Sequence, residues 1–304
     1  MKTVTNARKR SFQNCQNSCS PSENVVTILQ WNILSDILSI SSPTENFIRA
    51  SSECLQWSYR KDRIISIISQ TAADIICLQE VDQYADILNA LSESGYTGQF
   101  HAKKDSPCLK FENNYGPDGL AIFYKSDKLN ADHIKMIYLS DETGNESSPM
   151  MSIKFLVKGT AISFVVATLH LKSKYGFENR RLHQSKSCLK HLLSINEDAI
   201  VLCGDFNAEK NEPCYQLLSN DTCLNLKSVY KTALGDEPPF TTWKIRPDGE
   251  VKHTIDYIWF TPTTFDIEAV LDPVKDEEVS ANRFPNMIEP SDHIALACKL
   301  RFKA

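Results

Sequence analysis

The sequence predicts one α/β domain, and three observations carry that expectation. Short, β-rich apolar runs alternate with amphipathic helical stripes from residue 24 onward. No Pro/Gly/Ser-rich linker interrupts them, so one domain fits better than two. Residues able to do metal or phosphate chemistry recur just past the ends of the apolar runs, where α/β folds place their sites. At 304 residues with 42% hydrophobic composition, the chain can bury a sizeable core.

The elements follow in order. The first 22 residues contain Lys2, Arg8, Lys9 and Arg10 and no acid, with many Ser, Thr, Asn and Gln. Residues 1–23 are expected to form a disordered tail. A mitochondrial presequence is the alternative, since such segments are basic and acid-poor. The domain is expected over 24–304. Val25 to Leu34 is a β-rich run, and polar, Ser-rich 35–54 is expected to be a surface loop. A helix starts near Glu53, with Trp57, Ile64, Ile65 and Ile68 on one face. Asp74 to Leu78 is a short apolar strand carrying Gln79-Glu80-Val81-Asp82 at its end. The stripe Tyr84, Ile87, Leu88, Leu91 is a helix closed by Gly95. Strands are expected at 119–124, 151–157 and 161–169, and a helix at about 178–194 with Leu182, Leu189, Leu192 and Leu193 inward. Ala199 to Cys203 is a buried strand running into Gly204-Asp205-Phe206-Asn207. His253 to Phe260, a Pro-flanked loop at 283–291 and a strand from Ile294 to Phe302 complete the chain.

Charge and cysteine usage exclude several classes. With 33 basic and 38 acidic side chains the formal net charge is −5, which argues against a surface built to coat nucleic acid. A phosphate ligand then needs a local basic pocket. The ten cysteines form no CxxC, and several sit in apolar runs, a pattern of reduced core thiols in an intracellular protein. No window approaches 18 consecutive apolar residues, so no membrane span is expected. The cytoplasm is the expected location, with the mitochondrion left open by the tail. A monomer is expected, as no extra interface element is evident.

The chemistry sits in Asn32, Glu80, His170, Asp205 with Asn207, Asp256, and Asp292 with His293. A hard cation such as Mg²⁺ takes oxygen ligands. Glu80 is the candidate anchoring carboxylate and Asn32 its neutral oxygen partner. Asp205 is placed to act as general base toward water, and the Asn207 amide to bond a phosphate oxygen. His293 would bind the transferring phosphoryl group, with Asp256 fixing its tautomer and keeping it cationic. His170 and the metal would offset charge on the phosphoryl oxygens. Lys103, Lys172, Lys174 and Arg246 are basic residues near the rim, enough for a dinucleotide's phosphates. Lys172 and Lys174 alternate after His170, so in extended backbone both face one side.

Seven short segments appear in one order: Trp31-Asn32-Ile33-Leu34, Leu78-Gln79-Glu80-Val81, Asp118-Gly119-Leu120-Ala121, Thr168-Leu169-His170-Leu171, Gly204-Asp205-Phe206-Asn207-Ala208, Thr254-Ile255-Asp256-Tyr257-Ile258 and Pro290-Ser291-Asp292-His293. Over residues 25–302 this series resembles the endonuclease/exonuclease/phosphatase superfamily. Within it the series resembles the CCR4-type deadenylase branch, marked by Asp118-Gly119. The resemblance implies a four-layer α/β sandwich: two packed mixed sheets flanked by helices. It implies Glu80 as metal ligand, Mg²⁺ with Mn²⁺ as substitute, and Asp205, Asn207, Asp256 and His293 as the catalytic set. Asp118 joins the substrate-binding residues on the same ground. Asn113 to Gly119 and Glu237 to Arg246 resemble one subgroup, which implies removal of the 2′-phosphate of NADP(H). A 3′ exoribonuclease acting on poly(A) is the alternative, with RNA as the less favoured partner. The resembled pattern has arginine where this chain has Lys174, which keeps the charge but loses the bidentate fork.

Overall fold

A computed structural model describes residues 8–15, 24–40 and 46–303. Their strands begin with β1 (Phe12–Asn14), β2 (Val25–Asn32), β3 (Ile75–Val81), β4 (Tyr96–Ala102) and β5 (Gly119–Lys125). Next come β6 (Leu129–Ser140), β7 (Glu146–Val157), β8 (Ser163–His170), β9 (Ile200–Asp205) and β10 (Lys227–Ser228). The last five are β11 (Thr242–Arg246), β12 (Gly249–His253), β13 (Asp256–Phe260), β14 (Phe265–Leu271) and β15 (Leu296–Phe302). The α-helices are α1 (Asp36–Ile40), α2 (Ser52–Leu55), α3 (Trp57–Thr71), α4 (Tyr84–Ser92), α5 (Glu178–Ile195), α6 (Pro213–Ser219) and α7 (Val229–Leu234).

Two mixed sheets pack face to face. One has the order β1-β14-β15-β2-β3-β5-β4 and the other β10-β13-β9-β8-β7-β6. Alternation along each strand sends one row of side chains between the sheets and the other toward helices. Val26, Ile28, Ile75, Cys77 and Ile122 of the first sheet meet Ile153, Val166, Val201, Cys203 and Ile258 of the second. On the outer face of the first sheet, Leu29, Trp31, Ile76 and Leu78 pack against Ile64, Ile68, Ile87 and Leu91 of α3 and α4. On the other side Ala167, Leu169 and Leu202 pack against Cys188, Leu192, Cys214 and Leu218 of α5 and α6. The result is a four-layer α/β sandwich.

Several expectations are corrected. Residues 8–15 of the expected disordered tail are ordered on the domain: β1 pairs with β14, and Arg8 Nε lies 2.5 Å from Glu289 Oε1. Residues 1–7 and 16–23 of that tail lie outside the described residues. The expected loop at 35–54 holds α1 and α2, because Asp82 accepts the Asp36 and Ile37 N–H groups at 3.0 and 3.1 Å and starts a helical turn. Residues 41–45 of it are outside the described set. Strands β1, β4, β6, β10, β11 and β14 and helices α6 and α7 were not expected. The run His253 to Phe260 is broken because Thr241 Oγ1 takes the Ile255 and Asp256 N–H groups at 3.0 and 3.1 Å. Of the four leucines expected inward on α5, Leu193 is 45% exposed and Leu182 half-buried; Cys188, Leu189 and Leu192 hold the buried stripe. His101 is buried on β4 with Nε2 2.9 Å from Ile137 O. Nine of the cysteines are described, and all are free thiols.

Candidate active site

The inter-sheet rows become polar at one rim. On β2 the row Val26, Ile28 continues into Gln30 and Asn32; on β3, Ile75 and Cys77 lead to Gln79; on β8, Phe164 and Val166 lead to Thr168 and His170. On β9, Val201 and Cys203 lead to Asp205. Because β13 runs antiparallel to β9, its first residue, Asp256, pairs with Asp205. Alternation would turn Glu80 toward the helices. Instead the register of β3 against β5 shifts between Leu78 and Val81, and Glu80 takes φ +54°. A left-handed conformation costs a non-glycine residue roughly 1–2 kcal/mol, so the surrounding ladder holds Glu80 in this bulge.

The acidic and imidazole groups then converge. Asp256 Oδ2 lies 2.8 Å from His293 Nδ1, and His293 Nε2 lies 3.9 Å from Asp205 Oδ2. Asn32 Nδ2 donates to both Glu80 Oε1, at 3.1 Å, and Asp205 Oδ2, at 3.0 Å. Asp205 Oδ1 accepts the Asn207 N–H at 2.9 Å, and Asn207 Nδ2 reaches Leu171 O at 3.1 Å. His170 Nε2 stands 3.6 Å from Asp205 Oδ2. The backbone carbonyl of His293 receives the Trp31 indole N–H at 2.8 Å, and the Ser291 hydroxyl donates to Asn32 O at 2.7 Å.

Burial and charge set the protonation states. Burial raises the Asp205 carboxyl, Asp256 adds repulsion, and the offsetting His293 and Asn32 leave it at about 7. Burial alone would lower His293; Asp256, Asp292 and Asp205 outweigh it and lift the imidazole to about 9. His170 goes the other way: burial and then Lys103, His293 and Lys172 push it well below its ordinary value. It is therefore a neutral imidazole rather than the charge-offsetting group expected. Burial would raise Asp292, but Lys244, His293 and Arg246 hold it ionised well below the usual carboxylate range.

The donor set fits a hard divalent cation at Glu80. Its Oε1 and Oε2 carry only the 3.1 Å contact from Asn32 and a 3.4 Å contact from the Ser35 N–H. No cationic side chain among the described residues pairs with it, so acceptor capacity remains. Asp205, Asp256 and His293 also bring one ligand atom each within 4.8 Å of one another. A protonated His293 cannot ligate, however, and its Nδ1 is committed to Asp256. Asn32 corrects its expected role: its amide nitrogen faces the carboxylates and its Oδ1 accepts the Leu34 N–H at 3.1 Å. It bridges Glu80 and Asp205 instead of offering a ligand oxygen.

Beside these groups opens a cleft of about 880 Å³ whose walls include Lys174, Asn207, Lys244 and Arg246. Arg246 is held by the Asn46 carbonyl at 3.1 Å and stacks 4.3 Å from the Phe47 ring centroid. Lys103 and Lys172 lie near His170, and burial followed by Lys103 and Lys174 lowers the Lys172 amine. The expected alternation of Lys172 and Lys174 is not seen, because Lys174 sits in a bend at φ +84°. Asp118 does not join the others: it is buried and its Oδ1 accepts the Ser106 hydroxyl, so it fixes the Pro107–Lys110 turn. Sequence reasoning missed Lys244, whose Nζ is 2.6 Å from Asp292 Oδ2. It also missed Gln30, Gln79 and Thr168. Gln30 and Gln79 exchange amide hydrogen bonds at 2.7 Å, Gln79 reaches Thr168 Oγ1 at 2.9 Å, and Gln30 reaches Asp256 Oδ1 at 3.3 Å. The inter-sheet rows contained that signal.

Known proteins are similar to this chain in sequence and fold. The model of the endonuclease/exonuclease/phosphatase family matches residues 29–293. Nocturnin of Rattus norvegicus is 38% identical, covering 97% of this chain and 70% of that relative. The Ccr4 3′-5′-exoribonuclease subunit of the CCR4-Not complex of Candida albicans is 27% identical, over 82% of this chain and 38% of its own. The human nocturnin catalytic domain, solved with bound sulfate, superposes with a TM-score of 0.80 at 32% identity and covers 97% of both chains. ANGEL2, a 2′,3′-cyclic phosphatase, reaches 0.80 at 20% identity over 98% of this chain and 100% of that one, a likeness of fold. With the family match spanning most of the chain and the sheets superposing on a solved relative, the chain belongs to the endonuclease/exonuclease/phosphatase family, and nocturnins are among its similar relatives.

Proposed function

We propose that the chain is a magnesium-dependent phosphatase that removes the 2′-phosphate of NADP(H), giving NAD(H) and inorganic phosphate. The observation that carries this is the cleft. About 880 Å³ with Lys174, Lys244 and Arg246 in its walls suits a dinucleotide. The net charge of −5 gives an extended polyanion little elsewhere to hold. The similarity to nocturnin supports the same substrate class, and human nocturnin itself binds sulfate, an oxyanion shaped like phosphate.

Each residue then has a task. Asp205, with a carboxyl poised at about 7, takes a proton from the attacking water. His293, cationic at neutral pH, offers Nε2–H to a phosphoryl oxygen while Asp256 holds Nδ1. Neutral His170 and the second amide N–H of Asn207 add hydrogen bonds without charge. Glu80 would hold Mg²⁺, or Mn²⁺ in its place, whose chemistry is to polarise a phosphoryl oxygen as a Lewis acid. Lys174, Lys244 and Arg246 grip the remaining phosphates, with Lys103 and Lys172 near His170.

A 3′ exoribonuclease is the second reading, favoured by the activity named for the Ccr4 relatives at 25–27% identity. Purified protein offered NADPH and oligo(A) separately distinguishes the two. Phosphate and NADH from the first, with no AMP from the second, is the expected result; rapid AMP release from oligo(A) with intact NADPH overturns the proposal.

A further inference from the structure

We propose that Tyr175 is a stacking platform for a heteroaromatic ring of the substrate, a role that rests on the dinucleotide reading above. Tyr175 lies on the cleft wall and is 97% exposed. An aromatic ring with no protein surface to cover it leaves both faces free. The backbone that presents it is strained and firmly held. Lys174 and Gly176 on either side have φ +84° and +85°, and the lysine pays for that conformation. Arg181, 2% exposed on α5, donates to Lys172 O at 3.1 Å and Lys174 O at 2.8 Å. Glu212 Oε2 anchors the same guanidinium at 2.9 and 2.7 Å. Glu178 Oε1 accepts the Gly176 N–H at 2.9 Å. The loop is thus pinned on both sides of Tyr175, a residue of the cleft wall whose side chain packs on nothing. A planar ring carried into the cleft by phosphates held at Lys174 and Arg246 is the ligand that such a surface fits, adenine and nicotinamide being the two a dinucleotide offers.

The test compares wild type, Tyr175→Ala and Tyr175→Phe on NADPH and on 2′-phosphoadenosine, which lacks the nicotinamide. With the ring removed, KM for NADPH rises about 5- to 150-fold, kcat stays within about twofold, and the melting temperature is unchanged. Tyr175→Phe keeps the wild-type KM. A rise for both substrates identifies adenine as the stacked ring, and a rise for NADPH alone identifies nicotinamide. An unchanged KM in Tyr175→Ala, or equal losses in Ala and Phe variants, overturns the stacking role while wild-type turnover leaves the phosphatase reading standing. No turnover of NADPH by wild type removes that reading and this proposal with it.

Discussion

Asp256 acts on two neighbours at once. It is the leading charge that lifts His293 against burial, and after burial the leading cause of the raised Asp205 carboxyl. Replacing it with asparagine keeps the shape and removes the charge, so both groups move down together. For wild type, kcat should rise as Asp205 ionises near pH 7 and fall as His293 loses its proton near pH 9. In Asp256→Asn the whole bell should shift to lower pH at saturating Mg²⁺; an alkaline limb that stays put contradicts the charge assignment. Stability carries the same sign. His293 rises from 6.5 to about 9 on folding, so its contribution is full below 6.5 and is lost as pH climbs through 9. At this scale the sequence was legible in residue type and position: Asp205, Asp256 and His293 sit together. What could not be read was orientation. Asn32 turns its nitrogen inward, toward Asp205 on another strand, and Asp118 spends a carboxylate oxygen on Ser106, choices made by folded contacts and not by residue type.

Close approach between elements shapes the rim as much as side chains do. At Gly204, φ +154°, an added Cβ would stand 2.3 Å from Leu169 O, because β8 and β9 run that near beneath Asp205. Gly204→Ala should therefore cost roughly 3 kcal/mol in denaturant unfolding and displace Asp205; wild-type stability would mean the strands can part cheaply. Apolar runs and helical stripes marked β2, β3, β5, β7, β8, β9, β13 and β15 and helices α3, α4 and α5, because their inward rows are long. Strand β6 escaped because it is the edge of its sheet, with half of its twelve residues exposed, Ile134 and Met136 among them, and a register shift between Ala131 and His133. The bulge that aims Glu80 also has no local mark, since Gln-Glu-Val reads as simple alternation.

Across the molecule, the two sheets are stitched at the active rim by Gln30, Gln79, Thr168 and Asp256. Gln30→Leu should lower kcat about 10- to 100-fold by letting Asp256 drift, with the fold retained by circular dichroism; an unchanged kcat means Asp256 is held without it. This pairing of sheets was not legible from periodicity, which gives faces but not which faces meet. Resemblance of ordered motifs supplied the four layers. The three residues of β1 have no β signature of their own and form a strand only because β14 offers an open edge. Among the described residues no helix is long and apolar enough to cross a membrane.

The central claim, a metal-dependent NADP(H) phosphatase anchored at Glu80, is tested most directly by phosphate release from NADPH. Wild type should release phosphate and form NADH with Mg²⁺, stop in EDTA, and recover when Mg²⁺ is restored, while Glu80→Ala should stay inactive at the same Mg²⁺. Undiminished release in EDTA, or a Glu80→Ala variant as fast as wild type, would contradict the account.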